Sequence, residues 1–562
     1  MDIKKLLAMG LGVSAMAFFA ACSDDSSSGT EPDPESSENS EPTSSGEGTP
    51  SGDSSSSNGT VASSGSSSDS KSGQSSSSVD ETITAMAITE IMYNAPDNSE
   101  LEWVEVSIAS GPDIKSMLAM KMRLDGAVTF DFPDQPLAKG EYIVVTNNVS
   151  LFKETYKEFN GRLFGPWDND PSTGEVAKLS NEGDVIDVKI LNKGDISCSY
   201  SKDPPWPSLA NGKGRTLVYK GGNAAQATSW GASAILGGNP GVGDDDWLKT
   251  SNVRLNEIMP TGTTTDAWVE LYNAGSEAVD VTGWEFESKI RDQKLSIKEG
   301  TVPAGGFLVL EAKTSFDEEL IVSDIGGAYY LYGATEGDES SLLLPSSKLS
   351  SGVVDLSDGS TAQGALKTAT PGEANTALYI GPIVINEINY HPNEDDPKQV
   401  EFLELKNTST ESISLFETVT GGSRGWKVEG INFEFSSGDV LPAGGLALLF
   451  PDSLSAYAKV LKERFSIDES VMVKFYKGKL SNRGETIAVK KPYFHQKDAS
   501  NPLNDQWFYD WSDATLYSDN WSGNGIDYKR ADGNGYSLQR KDTSTMGYEA
   551  SAWTVGEPTP GK

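Results

Sequence analysis

Apolar and polar residues alternate with period two in three stretches of the chain, each made of two halves. In the middle stretch Leu255-Asn256-Glu257-Ile258-Met259-Pro260 is followed, after a polar loop, by Ala267-Trp268-Val269-Glu270-Leu271-Tyr272-Asn273. Upstream stand Thr89-Glu90-Ile91-Met92-Tyr93 and Glu102-Trp103-Val104-Glu105-Val106. Downstream stand Asn386-Glu387-Ile388-Asn389-Tyr390 and Glu401-Phe402-Leu403-Glu404-Leu405. Period-two alternation marks a half-buried strand, and Pro and Asn between the halves mark a turn or loop, so each stretch predicts a strand pair. Recurrence of the unit predicts one small fold copied along the chain. The opening strands are expected to begin near Ile88, Leu255 and Ile385.

Further punctuation recurs behind each pair. Ala138-Lys139-Gly140, Ala304-Gly305-Gly306 and Ala443-Gly444-Gly445 each precede a short apolar run, at 142–145, 307–310 and 446–449. Glycine accepts positive φ at such a turn, and the runs are expected to be buried core strands. In copies one and three a short helix is expected next. Phe152, Tyr156 and Phe159 share one face, as do Leu454, Tyr457, Ala458, Leu461 and Phe465. Leu179-Ser180-Asn181-Glu182-Gly183-Asp184 and Leu480-Ser481-Asn482-Arg483-Gly484-Glu485 each predict a turn before a strand. The copies close on Asn239-Pro240-Gly241, Thr370-Pro371-Gly372 and Thr559-Pro560-Gly561. Many short strands with Gly/Pro punctuation and few helices predict an all-β chain of three tandem β-sandwiches, at 83–243, 252–376 and 383–562.

The N-terminus carries an address. Lys4 and Lys5 precede an apolar run from Leu6 to Ala20 that is short for a membrane span, so residues 1–21 read as a secretory signal. Phe19-Ala20-Ala21-Cys22 resembles the lipobox of bacterial lipoproteins, with Phe in place of the usual Leu, and implies lipidation at Cys22. Lipid chains anchor by burying methylenes, which implies a protein tethered to the membrane rather than spanning it. Ser23-Asp24-Asp25 resembles the acidic export signal of surface-exposed lipoproteins, implying the outer membrane and an outward-facing location. Residues 22–82 are nearly all Ser, Gly, Asp, Glu, Thr and Pro, a composition that cannot offset its ordering entropy and predicts a disordered stalk. A flexible linker of about sixty residues spans roughly 40–45 Å root-mean-square.

Asn256-Glu257-Ile258, Trp268-Val269-Glu270-Leu271-Tyr272-Asn273, Asp280-Val281-Thr282-Gly283-Trp284 and the Ala-Gly-Gly turn together resemble the lamin tail domain. The resemblance extends over three copies and implies immunoglobulin-like sandwiches with binding or architectural roles and no shared active site. Copy one departs from it, with Met120-Lys121-Met122 where copies two and three have Gly283-Trp284 and Gly425-Trp426.

Charge and cysteine content narrow the partners. A net charge of −37 over 562 residues repels phosphate backbones and excludes nucleic acid, while leaving calcium open. Cys198 is left without a second cysteine once Cys22 is assigned to lipid, so the fold is expected to hold without an intramolecular disulfide. Two His and one further Cys do not supply a zinc site, and no metal or other cofactor is expected.

Several constellations bear on chemistry. The pairs Glu90/Glu105, Glu257/Glu270 and Glu387/Glu404 suit acid–base work across a cleft, but a pair copied in all three units is better explained by the fold itself. Gly421-Gly422-Ser423-Arg424-Gly425 matches the nucleophile-elbow string, which requires a strand before it and a helix after it. Trp426-Lys427-Val428 after it reads as a strand, against that motif. Asp244-Asp245-Asp246 and Glu394-Asp395-Asp396 lack the alternating spacing of a calcium loop. The segment from Trp507 to Tyr528 is dense in rings, and Trp507, Trp511 and Trp521 are the candidate contacts for a sugar ligand, core packing being the competing role. The sequence therefore predicts a surface lipoprotein that binds polysaccharide, envelope material or protein without catalysis. A hydrolase with an unrecognised site is the alternative, and it requires a convergent polar cluster in one copy that the others lack.

Overall fold

A computed structural model describes residues 85–562 apart from 97–99, 172, 191–195, 244–246, 262–265, 334–337, 394–395, 397–398, 483, 498–504, 519–520 and 522–525. Cys22, the 22–82 linker, Asp244–Asp246, Glu394 and Asp395 lie outside the described residues. Each copy opens with the expected antiparallel pair: Ala85–Met92 with Trp103–Ser110, Val253–Met259 with Trp268–Asn273, and Ile383–Asn389 with Phe402–Asn407. These strands begin two or three residues before the positions expected from the alternation.

The opening pair sits within one sheet of each sandwich. In copy one the six-stranded order is Trp230–Ala232, Leu217–Tyr219, Ala85–Met92, Trp103–Ser110, Tyr142–Thr146, Arg162–Phe164. Copy three repeats this order with Trp553–Gly556, Ser537–Arg540, Ile383–Asn389, Phe402–Asn407, Leu446–Pro451, Met472–Tyr476. Copy two has five strands, Thr361–Ala365, Ser351–Asp355, Val253–Met259, Trp268–Asn273 and Phe307–Glu311, the last of these at the sheet edge. A four-stranded antiparallel sheet faces each of these. One apolar core lies between the sheets of every copy, with Ile88, Val104, Leu124 and Ile186 in copy one, Leu255, Val269, Phe286 and Leu331 in copy two, and Ile385, Leu403, Val428 and Ile487 in copy three. Burying such faces on both sheets is what stabilises a fold with no disulfide, and Cys198 is a free, fully buried thiol within the first core.

Copy one also resolves the Gly-Trp departure. The backbone carbonyls of Met122, Trp284 and Trp426 accept equivalent bonds from the amides of Phe132, Ile297 and Phe435 at 3.1, 2.8 and 2.8 Å. Lys121 takes the left-handed φ of 49° that Gly283 adopts at 79°. The strand that the sequence left open there is Arg123–Gly126.

Two features correct the reading of the apolar runs. In copies one and three the run is followed by the expected helix, Val149–Thr155 or Ala458–Phe465, and then by a strand, not expected from the sequence, that pairs in parallel with the run itself. Helix and strand cover the outer face of the sheet, so Trp103, Val144, Phe402 and Leu448 are fully buried in second, smaller cores. Copy two has no such helix among its described residues, and there Phe307, Leu308 and Val309 are half-buried, with only Leu310 inside. Tyr457 also departs from expectation. It ends a 3₁₀ segment, Asp452–Tyr457, whose three-residue turn breaks the 3.6-residue phase, and it is 57% exposed.

Copies two and three touch. Ser346 N–H donates to the Tyr509 carbonyl at 2.8 Å, and Gly381, in the connection between the two copies, donates to the Ser512 carbonyl at 2.5 Å. The Tyr493 hydroxyl donates to Asp324 at 2.7 Å. Val354, Leu366, Leu378 and Met546 share one small apolar cluster across the junction.

Candidate functional site

The recurring glutamates are built by a β-bulge. The register of every opening pair slips at Thr89, Asn256 or Asn386, immediately before the first glutamate, and copy one has a further slip at its start, between Ala85 and Met86. A bulge re-aims the side chain it carries. The Thr89 hydroxyl donates to Glu105 at 2.7 Å, Asn256 Nδ2 to Glu270 at 2.8 Å, and Asn386 Nδ2 to Glu404 at 2.7 Å. The other oxygen of each of those carboxylates accepts the amide of the closing glycine: Gly241 at 2.5 Å, Gly372 at 2.5 Å and Gly561 at 2.7 Å.

The first glutamate of each pair holds a hydroxyl at the adjoining strand, in the closing turn, or in both. Thr216 donates to Glu90, and Thr370 donates to Glu257 through its amide at 3.1 Å and its hydroxyl at 3.2 Å. Glu387 accepts Ser537 Oγ at 2.5 Å, Thr559 N–H at 2.8 Å and Thr559 Oγ1 at 2.7 Å. All six carboxyls are buried. Burial pushes Glu404 up to about 7 against the opposing pull of the Gly561 amide and Asn386, and it pushes Glu257 and Glu270 in the same direction. Three copies of one carboxylate clamp thus fasten three closing turns. Both oxygens of Glu105, Glu270 and Glu404 are engaged with hydroxyl, side-chain amide or backbone amide donors.

Copies one and three carry further buried acids, one in copy one and two in copy three, whose role sequence reading missed. Glu102 accepts the Leu179 amide at 2.8 Å, and Glu401 accepts the Leu480 amide at 2.9 Å and the Tyr476 hydroxyl. Glu485 accepts the Ser481 amide at 2.6 Å and the Tyr517 hydroxyl at 2.9 Å. Desolvation pushes Glu102 and Glu485 up to about 7. The signal was present in the shared Leu-Ser-Asn turns and in Glu102-Trp103 and Glu401-Phe402, but Glu102 and Glu401 are set apart from their turns by more than seventy residues in sequence, and only Glu485 lies beside its own.

One structure belongs to copy three alone. The hairpin Gly484–Gln496/Gln506–Ser518 is thirteen residues on each side, against seven and six for Gly183–Lys189 and Ile196–Ser201 in copy one. An inserted hairpin, Phe416–Val419 with Gly422–Gly425, packs beside its extended end. Here the nucleophile-elbow string falls on a strand of a hairpin, without the helix that motif needs. A Cβ on Gly422 would meet His495 Nδ1 at 2.8 Å and Trp507 at 3.1 Å, and Arg424, two residues on, lies over Trp507. Ser423 alternates to the opposite side and bonds Thr418 Oγ1 at 2.9 Å. His495 bonds the Gly421 carbonyl at 3.1 Å and Asp505 at 3.2 Å. No Ser–His relay forms.

The three candidate tryptophans all lie in or just beyond this extended hairpin, and each has partners within the chain. Trp507 stacks on His495 with centroids 4.2 Å apart and planes 7° apart, with the Arg424 guanidinium 5.4 Å from its centroid. Lys490 Nζ lies 4.8 Å from the Trp511 ring, whose Cε3 is 3.9 Å from where a Cβ on Gly364 of copy two would stand. Trp521 packs on Trp553 and Tyr528 at the margin of the third core. Tyr517 and Tyr528, from the same segment, are buried. Among the described residues no group of three or more His, Cys, Asp or Glu is placed to hold a metal ion, and no helix is long and apolar enough to cross a membrane.

Residues 248–362 match the family model of the Lamin Tail Domain, a segment that takes in nearly all of the copy-two sandwich. No curated protein and no solved structure matches the chain.

Proposed function

We propose that the chain is a lipid-anchored protein of the bacterial cell surface whose three lamin-tail-like domains bind or scaffold and do not catalyse. The observation that carries this reading is the clamp. The acid pairs that stand out in the sequence hold the closing turn in every copy, and a role copied three times with the fold belongs to the fold. The one cluster particular to copy three has its serine turned away from its histidine. The leader, Cys22 and the Ser-rich stalk support anchoring with reach beyond the membrane surface. Polysaccharide, envelope material and protein are the ligand classes, and three domains on one chain suit avidity.

Two experiments test this. The Cys22→Ala chain should lose acylation and leave the membrane fraction, and its retention after processing would contradict the anchor. The chain from Ile83 to Lys562 should be retained by at least one of a panel of insoluble polysaccharides and envelope fractions, with and without calcium. Turnover of a substrate in that panel, abolished by a single substitution, would contradict the non-catalytic assignment.

A further inference from the structure

Among the described residues, copy two has no helix or added strand on its outer sheet face and edge, and the other two copies show what fills that place. In copy one the strand Arg162–Phe164 adds in parallel to Tyr142–Thr146, pairing Leu163 with Val144, while the helix Val149–Thr155 lays Phe152 against Trp103. In copy three Met472–Tyr476 adds to Leu446–Pro451, pairing Val473 with Leu448, and the helix Ala458–Phe465 brings Leu461 into the cluster around Phe402. The equivalent positions in copy two follow from register. Val309 faces Glu270 as Val144 faces Glu105 and Leu448 faces Glu404, and Trp268 holds the place of Trp103 and Phe402. Trp103 and Phe402 are fully buried, whereas Trp268, Phe307 and Val309, on the same outer face, are half-buried. The strand Phe307–Glu311 has no strand beyond it among the described residues. The same face continues into a cleft of about 200 Å³ lined by Tyr272, Phe307, Arg254 and Asp355.

We infer that the Phe307–Glu311 edge takes an added strand from a cationic, amphipathic partner polypeptide, which runs parallel to it and covers Trp268 and Val309. An open edge offers main-chain hydrogen bonds, and the apolar positions beside it select the side chains. Charge decides between occupants. At −37, two copies of this chain repel one another, so a second copy is disfavoured and a basic segment is favoured. Both native added strands carry a cation to a carboxylate, Arg162 to Glu141 at 2.8 Å and Lys474 to Asp439 at 2.5 Å. In copy two Glu299 and Glu311 are exposed near the edge, while Lys313 is paired with Asp266 at 2.5 Å. The 22–82 linker has almost no apolar side chains with which to cover Trp268. The inference rests on the binding role proposed above and names a site and a partner chemistry for it.

The probe is a labelled synthetic peptide with the sequence of residues 458–476, the chain's own helix-and-strand segment, titrated into the full chain by fluorescence anisotropy. Saturable binding is expected, with the amides of 307–311 slowed in hydrogen exchange. Val309→Lys should weaken it by roughly tenfold or more, as loss of a central apolar anchor does. If Val309→Lys lowers the melting temperature, the exposed Glu311→Lys serves instead and should weaken the cationic peptide. Absence of binding, equal binding by a scrambled peptide, or indifference to both substitutions would overturn the inference. So would a wild-type dimer in sedimentation that Val309→Lys makes monomeric, since the occupant would then be a second copy. Each of these failures leaves the polysaccharide and envelope pull-down, which tests the binding role itself, unaffected.

Discussion

Replacing Glu387 by Ala removes the acceptor for four donors at once: Ser537 Oγ at 2.5 Å, Thr559 N–H at 2.8 Å, Thr559 Oγ1 at 2.7 Å and, more weakly, Gln539 Nε2 at 3.4 Å. Hydrogen bonds to a charged group contribute about 1.5–3 kcal/mol each, but these share one carboxylate, so their sum overstates the effect. Leaving a buried donor without its acceptor costs about 1–3 kcal/mol, so orphaning these together is expected to cost about 3–5 kcal/mol. For a domain of 150–250 residues each kcal/mol moves the midpoint by about 2–4 °C, so copy three should melt roughly 6–20 °C lower. Differential scanning calorimetry of the full chain reads this directly, because copies one and two keep their own clamps. Glu387→Gln preserves shape and two acceptor positions and should cost less than Glu387→Ala. A shift below about 0.5 kcal/mol, the range of ordinary surface substitutions, would refute the clamp as a stabilising device.

Three further outcomes follow from the same structure. Burial holds Glu102, Glu404 and Glu485 at about 7, above the unfolded glutamate value of about 4.3, so their contribution is full below the unfolded value and lost as pH rises through 7. Melting temperature should therefore fall between about pH 5 and pH 8, and Glu102→Gln with Glu485→Gln should flatten that slope. Lys121→Gly should raise stability by about 1 kcal/mol in denaturant titration, because φ of 49° burdens a residue with a Cβ. Trp521→Ala should cost about 2 kcal/mol, below the 3–5 of a fully buried ring, through lost contact with Trp553 and Tyr528; a stable variant with impaired ligand retention would instead assign that ring to binding.

The opening pairs were legible because alternation reports directly on a sheet with one buried face, and the turns because Gly140, Gly305 and Gly444 all adopt positive φ. The bulge was not legible. Thr89, Asn256 and Asn386 extend the alternation in sequence, and only pairing shows that each is skipped. The strand Arg162–Phe164 is three residues long, too short to carry a period, and Met472–Tyr476 follows a helix whose connection hides the parallel pairing. The half-exposure of 307–309 in copy two was hidden for a related reason. An apolar run reads the same whether or not a helix covers its outer face. The glutamate pairs were legible as a recurring feature, but their partners lie 102 to 172 residues away in the closing turns, which no local pattern reports.

In every copy the second glutamate of the pair fastens the closing turn of its own sandwich. Hydrogen exchange of the Gly241, Gly372 and Gly561 amides in the intact chain tests it most directly. Each donates to a buried carboxylate at 2.5–2.7 Å, and all three should exchange on the timescale of core strand amides, although they lie in Pro-Gly turns. Exchange at the rate of an open loop in any one copy would contradict the account.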